Sequence, residues 1–357
     1  MKAYSKVEII TSAIKQPESS ILIIYTGGTL GMVHDKNGAL VPFDFSSILD
    51  HVPSLRHLEL NLTVISFENP IDSSNINPSD WQLIGQIIYD FYNEFDGFVV
   101  LHGTDTMSFT ASALSFMLEN LNKPVVFTGA QLPISSLRSD ARENLITALE
   151  IASSKKDGKP IISEVAIYFD YVLLRANRSK KVESLHFDAF ESENYPLLAE
   201  AGVEINYNEA VIMPFHSEKE VILHNKFDHR VVILKLYPGI NAEAVKAIIE
   251  IPGLRGIVME TFGSGNAPTS SWFIELLEEA ISRDIVILNV SQCPGGRVVQ
   301  GRYDTSQQLQ KIGVIEGADL TMEAAITKMM LILGEEQDME NIRKRLMDPI
   351  SGELTQY

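Results

Sequence analysis

The sequence predicts an α/β protein of two domains, a larger N-terminal domain built on a parallel sheet and a smaller C-terminal α/β domain. Three observations lead to this prediction. Short apolar runs alternate with helical patterns from Ile21 to about Asn206, a polar stretch of mixed charge follows, and the alternation then resumes. Strands that alternate with helices pair in parallel and are covered by those helices. We therefore place the domains at 1–206 and 230–357, with 207–229 as the linker between them.

Strands are predicted where short apolar runs end in turn residues, and helices where apolar residues recur every three or four positions. In the first half, the predicted strands are 21–25, 98–101, 125–127 and 165–169, and the predicted helices are 107–121, 141–153 and one that starts near Pro78 or Asp80. In the second half, the predicted strands are 231–236, 256–259 and 285–290, and the predicted helices are 242–251, 271–282 and 321–333.

Length, composition and charge limit the classes of function. The chain has 357 residues, of which 45% are apolar and 21% charged, so it is long enough for two compact domains. Its net charge of −18 argues against nucleic acid or an anionic membrane as a partner, because phosphates would be repelled. One cysteine, Cys293, excludes an intrachain disulfide and a cysteine-rich zinc site, and no metal-ligand spacing is present.

The sequence also predicts where the protein resides. No apolar stretch reaches the length of a transmembrane helix. The N-terminal residues lack the continuous apolar region of a secretory signal, since polar side chains at Thr11, Ser12, Lys15 and Glu18 interrupt them. We therefore expect a cytoplasmic protein.

Two threonine-glycine turns carry most of the functional information. Thr26-Gly27-Gly28-Thr29 follows the apolar run 21–25, and His102-Gly103-Thr104-Asp105-Thr106 follows 98–101. In an open parallel sheet, ligands bind beyond the carboxyl ends of the strands, so both turns are expected to face one crevice. Glycine lets the backbone approach a ligand, and an adjacent hydroxyl supplies a nucleophile or a hydrogen-bond donor.

Each turn has a simpler interpretation. Gly27 and Gly28 also fit a tight turn or a degenerate dinucleotide loop, although their spacing to Gly31 is not G-x-G-x-x-G. Thr104 or Asp105 also fits as the cap of the helix that begins near 107. These interpretations remain open at the level of residue patterns.

The two turns resemble the paired signatures of the bacterial L-asparaginases, and the cytosolic type I branch of this asparaginase/glutaminase family fits best. Further segments match the family in its own order along the chain: Asp72-Ser73-Ser74, Thr128-Gly129-Ala130-Gln131, Asn177-Arg178-Ser179-Lys180-Lys181 and Gly263-Ser264-Gly265-Asn266-Ala267-Pro268. An ordered set of this kind is far more specific than any one of its members. The resemblance implies an N-terminal asparaginase domain that carries the catalytic threonines and a C-terminal asparaginase domain.

The resemblance also implies roles for particular residues. Thr29 corresponds to the first nucleophile of the family, and Thr104 and Asp105 bind substrate and serve catalysis. Lys181 corresponds to the lysine that acts with Thr104. The loop of Asp72, Ser73 and Ser74 binds the substrate carboxylate.

Three of these segments have alternative interpretations. The pattern alone describes Arg178-Ser179-Lys180-Lys181 as a solvated basic surface run, and only the resemblance selects Lys181. Asn266 lies in a glycine-rich turn, which the pattern alone describes as a strand-to-helix connection and which the resemblance places at the active site of a neighbouring subunit in a homodimer or homotetramer. His102 precedes Gly103 at a strand end, and a structural role is predicted for it rather than that of a base.

The resulting prediction is an amidohydrolase, an L-asparaginase that converts L-asparagine to L-aspartate and ammonia through a threonine nucleophile and an acyl-enzyme. No cofactor or metal is expected. The alternatives are a broader glutaminase-asparaginase, an amidohydrolase associated with an amidotransferase, and a non-catalytic protein that binds an amino acid or a dinucleotide.

Overall fold

The computed structural model describes residues 4–10, 17–34, 40–42, 48–216, 218–301 and 304–356. The chain forms two compact units: residues 1–192 with 196–223, and residues 193–195 with 224–357. The division after residue 223 falls inside the predicted linker. Residues 207–223 belong to the first unit because buried side chains there bind their backbone: Arg175 donates to the Val211 carbonyl at 2.9 Å, and Glu164 accepts from the Met213 N–H at 2.8 Å.

The first unit is built on a nine-stranded sheet. Its strands are β1 (Tyr4–Ile10), β2 (Ser19–Tyr25), β5 (Leu60–Phe67), β6 (Gly97–Leu101), β8 (Val125–Thr128), β11 (Val165–Phe169), β12 (Val172–Arg175), β15 (Ala199–Ala201) and β16 (Ile205–Tyr207), in the spatial order β1-β5-β2-β6-β8-β11-β12-β15-β16. The five central strands, from β5 to β11, are parallel, and the flanking strands are antiparallel. Every residue of β6, β8 and β11 is buried, as expected of parallel strands covered on both faces.

Helices and short strand pairs complete this unit. The helices are α1 (Ile48–His51), α2 (Pro78–Asp90), α3 (Met107–Met117) and α4 (Ala141–Ser153). The short pairs are β3 (Met32–His34) with β4 (Leu40–Pro42), β7 (Leu118–Glu119) with β17 (Ile222–Leu223), β9 (Lys155–Lys156) with β10 (Lys159–Pro160), and β13 (Lys180–Lys181) with β14 (Phe190–Glu191).

The order of the central strands locates the crevice of this sheet. From β2 the chain crosses to β5 on one side, whereas β6 lies on the other side of β2 and leads on to β8. The direction of winding therefore reverses between β2 and β6, which is the topological switch point where open α/β sheets bind ligands. In register, Tyr25 lies beside Leu101, and Leu101 lies beside Thr128. The loops that follow these three residues consequently leave the sheet at one level.

The second unit has a four-stranded parallel sheet in the order β18-β19-β20-β21. Its elements are β18 (Val231–Lys235), α5 (Ala242–Ile249), β19 (Gly256–Thr261), α6 (Ser271–Ser282), β20 (Val286–Ser291), α7 (Asp304–Ile312), β21 (Ile315–Glu316), α8 (Met322–Glu335) and α9 (Met339–Met347). Its core packs side chains of the strands against α5 and α6, with Phe273, Leu277 and Ile257 fully buried. The predicted fold class, two α/β domains of unequal size, is confirmed.

Several elements differ from the sequence prediction, and two of them show how pairing with a distant segment changes a local pattern. The helix predicted at 107–121 ends at Met117, because Leu118 and Glu119 pair with Leu223 and Ile222 as a strand instead. Strand β5 was not predicted, since polar residues such as Asn61 and Thr63 interrupt its apolar run, yet Thr63 is buried in the sheet. None of the helices in the described part of the chain has the length and apolar composition to cross a membrane.

Candidate active site

The two threonine-glycine turns meet directly through their glycines. A Cβ atom placed on Gly28 would lie 2.6 Å from both Cα and N of Gly103, so the two backbones touch as only glycine permits. Gly28 also has φ +90°, a conformation that L side chains rarely adopt. Thr29 and Thr104 each directly follow one of these glycines, so the contact brings the two threonine turns together. Gly27-Gly28 is therefore a close-approach turn between two strand ends.

A third loop, which contains Ser73, packs on the same contact. A Cβ atom on Gly103 would lie 2.6 Å from Oγ of Ser73, and the Thr106 hydroxyl donates to the Ser73 carbonyl at 2.7 Å. The Ile71 N–H donates to the Thr26 carbonyl at 2.7 Å. The Ser73 side chain is buried as a result. The structure thus brings together the first turn, the second turn and the predicted carboxylate loop.

Thr29 begins a one-turn helix, Thr29–Gly31, and Tyr25 packs against the last residue of this helix. The ring of Tyr25 lies where a Cβ atom of Gly31 would be, and its hydroxyl donates to the Gly31 carbonyl at 3.2 Å. Burial raises the pKa of Tyr25 well above its ordinary value, so the phenol stays protonated and acts as a donor. Thr26, by contrast, is buried and donates its hydroxyl to the Leu101 carbonyl at 3.1 Å, which leaves Thr29 as the accessible threonine of this turn. Residues 35–39, which follow β3, lie outside the described residues.

Lys181 connects the two polar groups of the second turn. Its ammonium lies 2.8 Å from Oγ1 of Thr104 and 2.7 Å from Oδ1 of Asp105. The Lys181 side chain is only 17% exposed, whereas that of Asp105 is 64% exposed. The ion pair therefore holds a largely enclosed amine against a hydroxyl while the carboxylate faces the crevice.

The segment that carries Lys181 is not a solvated basic run, so that alternative interpretation is wrong. Asn177, Arg178 and Ser179 are all buried. The Ser179 hydroxyl donates to the Ala176 carbonyl at 2.8 Å and lies 3.5 Å from the hydroxyl of Ser108 on α3. Small residues on α3 allow this close packing, which directs the following residue pair, β13, toward Thr104. The pattern of charges in the sequence contains no sign of this burial.

Neither Thr104 nor Asp105 caps the following helix. Residues Thr104–Thr106 form one turn of 3-10 helix, and α3 starts at Met107 with Thr106 at the cap position and no side-chain cap bond. The hydroxyl of Thr104 and the carboxylate of Asp105 are instead engaged by Lys181. The capping interpretation of these two residues is therefore not supported.

Asp72 organises the loop of Ser73 and Ser74. Its Oδ1 accepts from the Ser74 N–H at 3.0 Å and from the Ser74 hydroxyl at 2.9 Å. The hydrogen bond from the Ser74 backbone is the main cause of a lowered pKa for Asp72, which therefore stays ionised. Asp72 and Ser74 are exposed and Ser73 is buried, so Ser74 is accessible to solvent and Ser73 lies against Gly103.

His102 lies in the interior and has both ring nitrogens engaged. Nδ1 lies 2.7 Å from the Gly103 carbonyl, and Nε2 lies 2.9 Å from the hydroxyl of Thr110. A carbonyl only accepts, so Nδ1 carries the proton and Nε2 accepts from Thr110, which in turn accepts from the Trp81 indole at 3.2 Å. Burial lowers the pKa of His102 to about 4, which keeps the ring neutral. This environment is that of a structural histidine.

Asn266 lies in the second unit, in the turn that follows β19. Backbone bonds in both directions between Phe262 and Asn266, each 2.9 Å long, close the turn. Gly263 and Gly265 have φ +48° and φ +102°, which makes the turn tight. The Asn289 amide donates to the Gly265 carbonyl at 3.3 Å and holds it on the sheet. The turn is thus a rigid element at the carboxyl end of a strand.

Gln131 is a residue of this region to which the sequence prediction assigned no role. Its Oε1 lies 3.5 Å from Oγ1 of Thr104, and its Nε2 donates to the His186 carbonyl at 3.0 Å. It follows β8, the third strand that ends at the level of Tyr25 and Leu101. That position in line with the two threonine turns is the signal that could have identified it. Within the described residues, no group of three histidine, cysteine, aspartate or glutamate side chains is arranged to hold a metal ion.

The chain is thus a two-unit α/β protein in which two threonine turns meet at the switch point of the sheet and a lysine is hydrogen-bonded to the second threonine. Comparisons with known proteins identify the family to which a protein of this class belongs. The model "Asparaginase, N-terminal" matches residues 20–213, and "Glutaminase/Asparaginase C-terminal domain" matches residues 230–346. The chain therefore belongs to the asparaginase family.

Individual relatives place it within that family. L-asparaginase 1 of Escherichia coli K12 is 42% identical over 340 residues, which cover 95% of this chain and 98% of the relative. The crystal structure of L-asparaginase I from Vibrio cholerae is 37% identical, with a TM-score of 0.85, and covers 95% of this chain and 99% of that one. A probable cytoplasmic L-asparaginase from Campylobacter jejuni is 26% identical, with a TM-score of 0.75, and covers 93% and 100%. The resemblance to the type I branch is confirmed.

Proposed function

We propose that this protein is an L-asparaginase that hydrolyses the side-chain amide of L-asparagine to L-aspartate and ammonia. The observation that carries the proposal is the bridge from Lys181 to both Thr104 and Asp105, beside the contact between Gly28 and Gly103. Such an arrangement supplies a hydroxyl, a carboxylate and an amine next to a second threonine. Binding alone would not require it, which disfavours a non-catalytic protein.

The proposed reaction has two steps. The Thr29 hydroxyl attacks the amide carbon of asparagine and its proton passes by way of Thr104 to Lys181, which must take part as an uncharged amine; Lys181 returns the proton through Thr104 to the leaving nitrogen, and ammonia departs to leave an ester on Thr29. Water then attacks this ester by the same route and releases aspartate. Backbone N–H groups at Gly28 to Thr29 or at Thr104 are the candidates to stabilise the oxyanion, a contribution of about 3–4 kcal/mol per donor in other enzymes. The chemistry needs water and no cofactor.

Substrate recognition follows from charge. Asp105 presents an exposed carboxylate whose Oδ1 binds Lys181, so a substrate ammonium would bind at Oδ2. The substrate α-carboxylate is assigned to Ser73 and Ser74. Asp72 cannot bind a carboxylate directly and serves this loop by holding Ser74 through its N–H and hydroxyl.

The first test is direct. Ammonia release is measured with L-asparagine, L-glutamine and buffer alone. We expect kcat/KM for asparagine to exceed that for glutamine by about 100-fold or more, because one extra methylene moves the amide away from a fixed nucleophile. Comparable values for the two amides would favour the broader glutaminase-asparaginase, and no release from either would reject the proposal.

Self-association is a further part of the proposal. Thr29, Thr104, Asp105 and Lys181 lie in the first unit and Asn266 lies in the second, and in the family resemblance the equivalent asparagine serves a neighbouring subunit. We therefore propose a homodimer or homotetramer with sites completed between subunits. The net charge of −18 argues against nucleic acid and anionic membranes as partners, because their phosphates would be repelled. The name of the Campylobacter jejuni relative, a probable cytoplasmic L-asparaginase, supports a cytoplasmic location for this protein.

Subunit mixing tests the shared site. Inactive Thr29→Ala protein and inactive Asn266→Ala protein are combined in equal amounts under conditions of subunit exchange. In a two-fold dimer, half of the molecules become mixed and each has one intact site, so about a quarter of the wild-type activity should return. Each variant alone is the control. An active monomer, detected by light scattering at the assay concentration, would contradict this model.

A further inference from the structure

We infer that Gln131 is a positioning residue for the proposed reaction, one that aligns the hydroxyl of Thr104 with Lys181. The inference rests on the proposed function, in which Thr104 and Lys181 transfer protons. It concerns a residue that contacts neither the nucleophile Thr29 nor Asp105 in any hydrogen bond of the described residues.

The backbone of Gln131 is fixed by a carboxylate. Oδ2 of Asp140 accepts from the Gln131 N–H at 2.9 Å, and Oδ1 accepts from the Leu132 N–H at 3.0 Å. Asn144 on α4 donates to the same carboxylate at 3.3 Å and to the Gly129 carbonyl at 3.0 Å. Three hydrogen bonds therefore anchor this loop to the start of α4, and the bond from Asn144 to Asp140 holds the carboxylate in place. Such anchoring gives the side chain a defined origin, as a positioning role requires.

The side-chain amide of Gln131 then bridges two parts of the site. Nε2 donates to the His186 carbonyl at 3.0 Å, and because a carbonyl only accepts, this bond fixes which end of the amide is oxygen. Oε1 consequently faces Thr104 and accepts from its hydroxyl at 3.5 Å. The methyl group of Thr104 packs against Gly129, where a Cβ atom would lie 3.5 Å from Cγ2. The Thr104 side chain is thus held on two sides.

This arrangement sets the direction of the hydrogen bonds around Thr104. Nζ of Lys181 donates to Oγ1 at 2.8 Å, so the Thr104 proton points away from it and toward Gln131. A lone pair of Thr104 therefore faces Lys181, which is the arrangement for the half of the transfer in which Lys181 returns a proton through Thr104 to the leaving nitrogen. The hydrogen bond from the Gln131 amide to the His186 carbonyl also restrains the loop 182–188, which directly follows Lys181. Gln131 thereby fixes both partners of the proposed transfer.

The test compares three variants. Gln131→Met preserves the volume of the side chain but removes its hydrogen bonds to Thr104 and to the His186 carbonyl. We expect kcat for asparagine to fall about tenfold, as for loss of a positioned hydrogen bond, while KM changes less than about threefold. Gln131→Glu keeps an acceptor for Thr104 but loses the donor to the His186 carbonyl. We expect this variant to retain a higher kcat than Gln131→Met, because it keeps the contact with the Thr104 hydroxyl. Gln86→Met is the matched control, because the Gln86 amide donates to Asp90 of its own helix at 2.7 Å, and it should behave as wild type.

A double-mutant cycle separates positioning from a general structural effect. If Gln131 acts through Thr104, Gln131→Met should lower kcat by less than about twofold in a Thr104→Val background. Additive losses, or equal losses in the Met and Glu variants together with a lowered Tm, would overturn the inference. Wild-type enzyme assayed in parallel distinguishes the two levels: an active wild type with an unaffected Gln131→Met rejects this inference alone, and an inactive wild type rejects the proposed function and this inference with it.

Discussion

Replacement of Thr29 by alanine is expected to lower kcat by roughly 10⁴-fold or more while the fold and the binding of asparagine remain, since removal of a covalent nucleophile has effects of this size in other enzymes. Thr29 is the accessible hydroxyl of the first turn and adjoins the contact between Gly28 and Gly103. Steady-state ammonia release measures the loss, and calorimetric titration with asparagine measures the retained binding. Thr29→Ser keeps a hydroxyl and is expected to retain measurable turnover.

A matched pair of variants identifies which threonine forms the ester. Thr104→Ala is examined beside Thr29→Ala by mass spectrometry after rapid quenching with asparagine. The acyl adduct should form in Thr104→Ala, slowly, and should not form in Thr29→Ala. More than a tenth of wild-type turnover in Thr29→Ala would instead assign the nucleophile to Thr104.

Replacement of Lys181 by methionine is expected to lower kcat by about 10³-fold, within the range for loss of a positioned acid–base group. Its ammonium lies 2.8 Å from the hydroxyl of Thr104, and methionine preserves most of the length and volume of the side chain. Lys181→Arg keeps the positive charge beside Asp105, but guanidinium does not release its proton at accessible pH. We therefore expect no rescue by arginine, which distinguishes proton transfer from a purely electrostatic role.

The neighbouring Lys180 provides the matched control. It lies in the same two-residue strand, where its backbone pairs with Glu191, and methionine at this position should change kcat by less than about threefold. Equal losses in Lys180→Met and Lys181→Met would indicate that charge near the site, and not the particular amine, supports turnover. A larger loss for Lys180→Met would assign the proton-transfer role to Lys180 instead of Lys181.

Local patterns were sufficient for the helices and strands with the clearest periodicity, but not for the short strand pairs or for β1 and β12. Helices Ala141–Ser153 and Ser271–Ser282 begin and end where apolar periodicity and flanking residues predict, and strands β6, β8 and β11 follow continuous apolar runs. They could be predicted because strands buried on both faces and amphipathic helices leave a direct periodic signal. Strand β5 and the end of α3 could not, because pairing with distant segments, β1 and β2 in one case and β17 in the other, outweighed the local pattern.

By itself the sequence determined the two-part α/β organisation, the loops at the strand ends and the residues that link the chain to its family. Only the tertiary structure decided which of these residues meet. Lys181 reaches Thr104 across 77 positions of sequence, and it does so because Asn177, Arg178 and Ser179 are buried beside α3. Gln131 gains its contact with Thr104 because β6 and β8 are neighbours in register. Periodicity reports the local environment of a segment, whereas contacts between segments depend on strand order and on the packing of the buried chain, which no local pattern encodes.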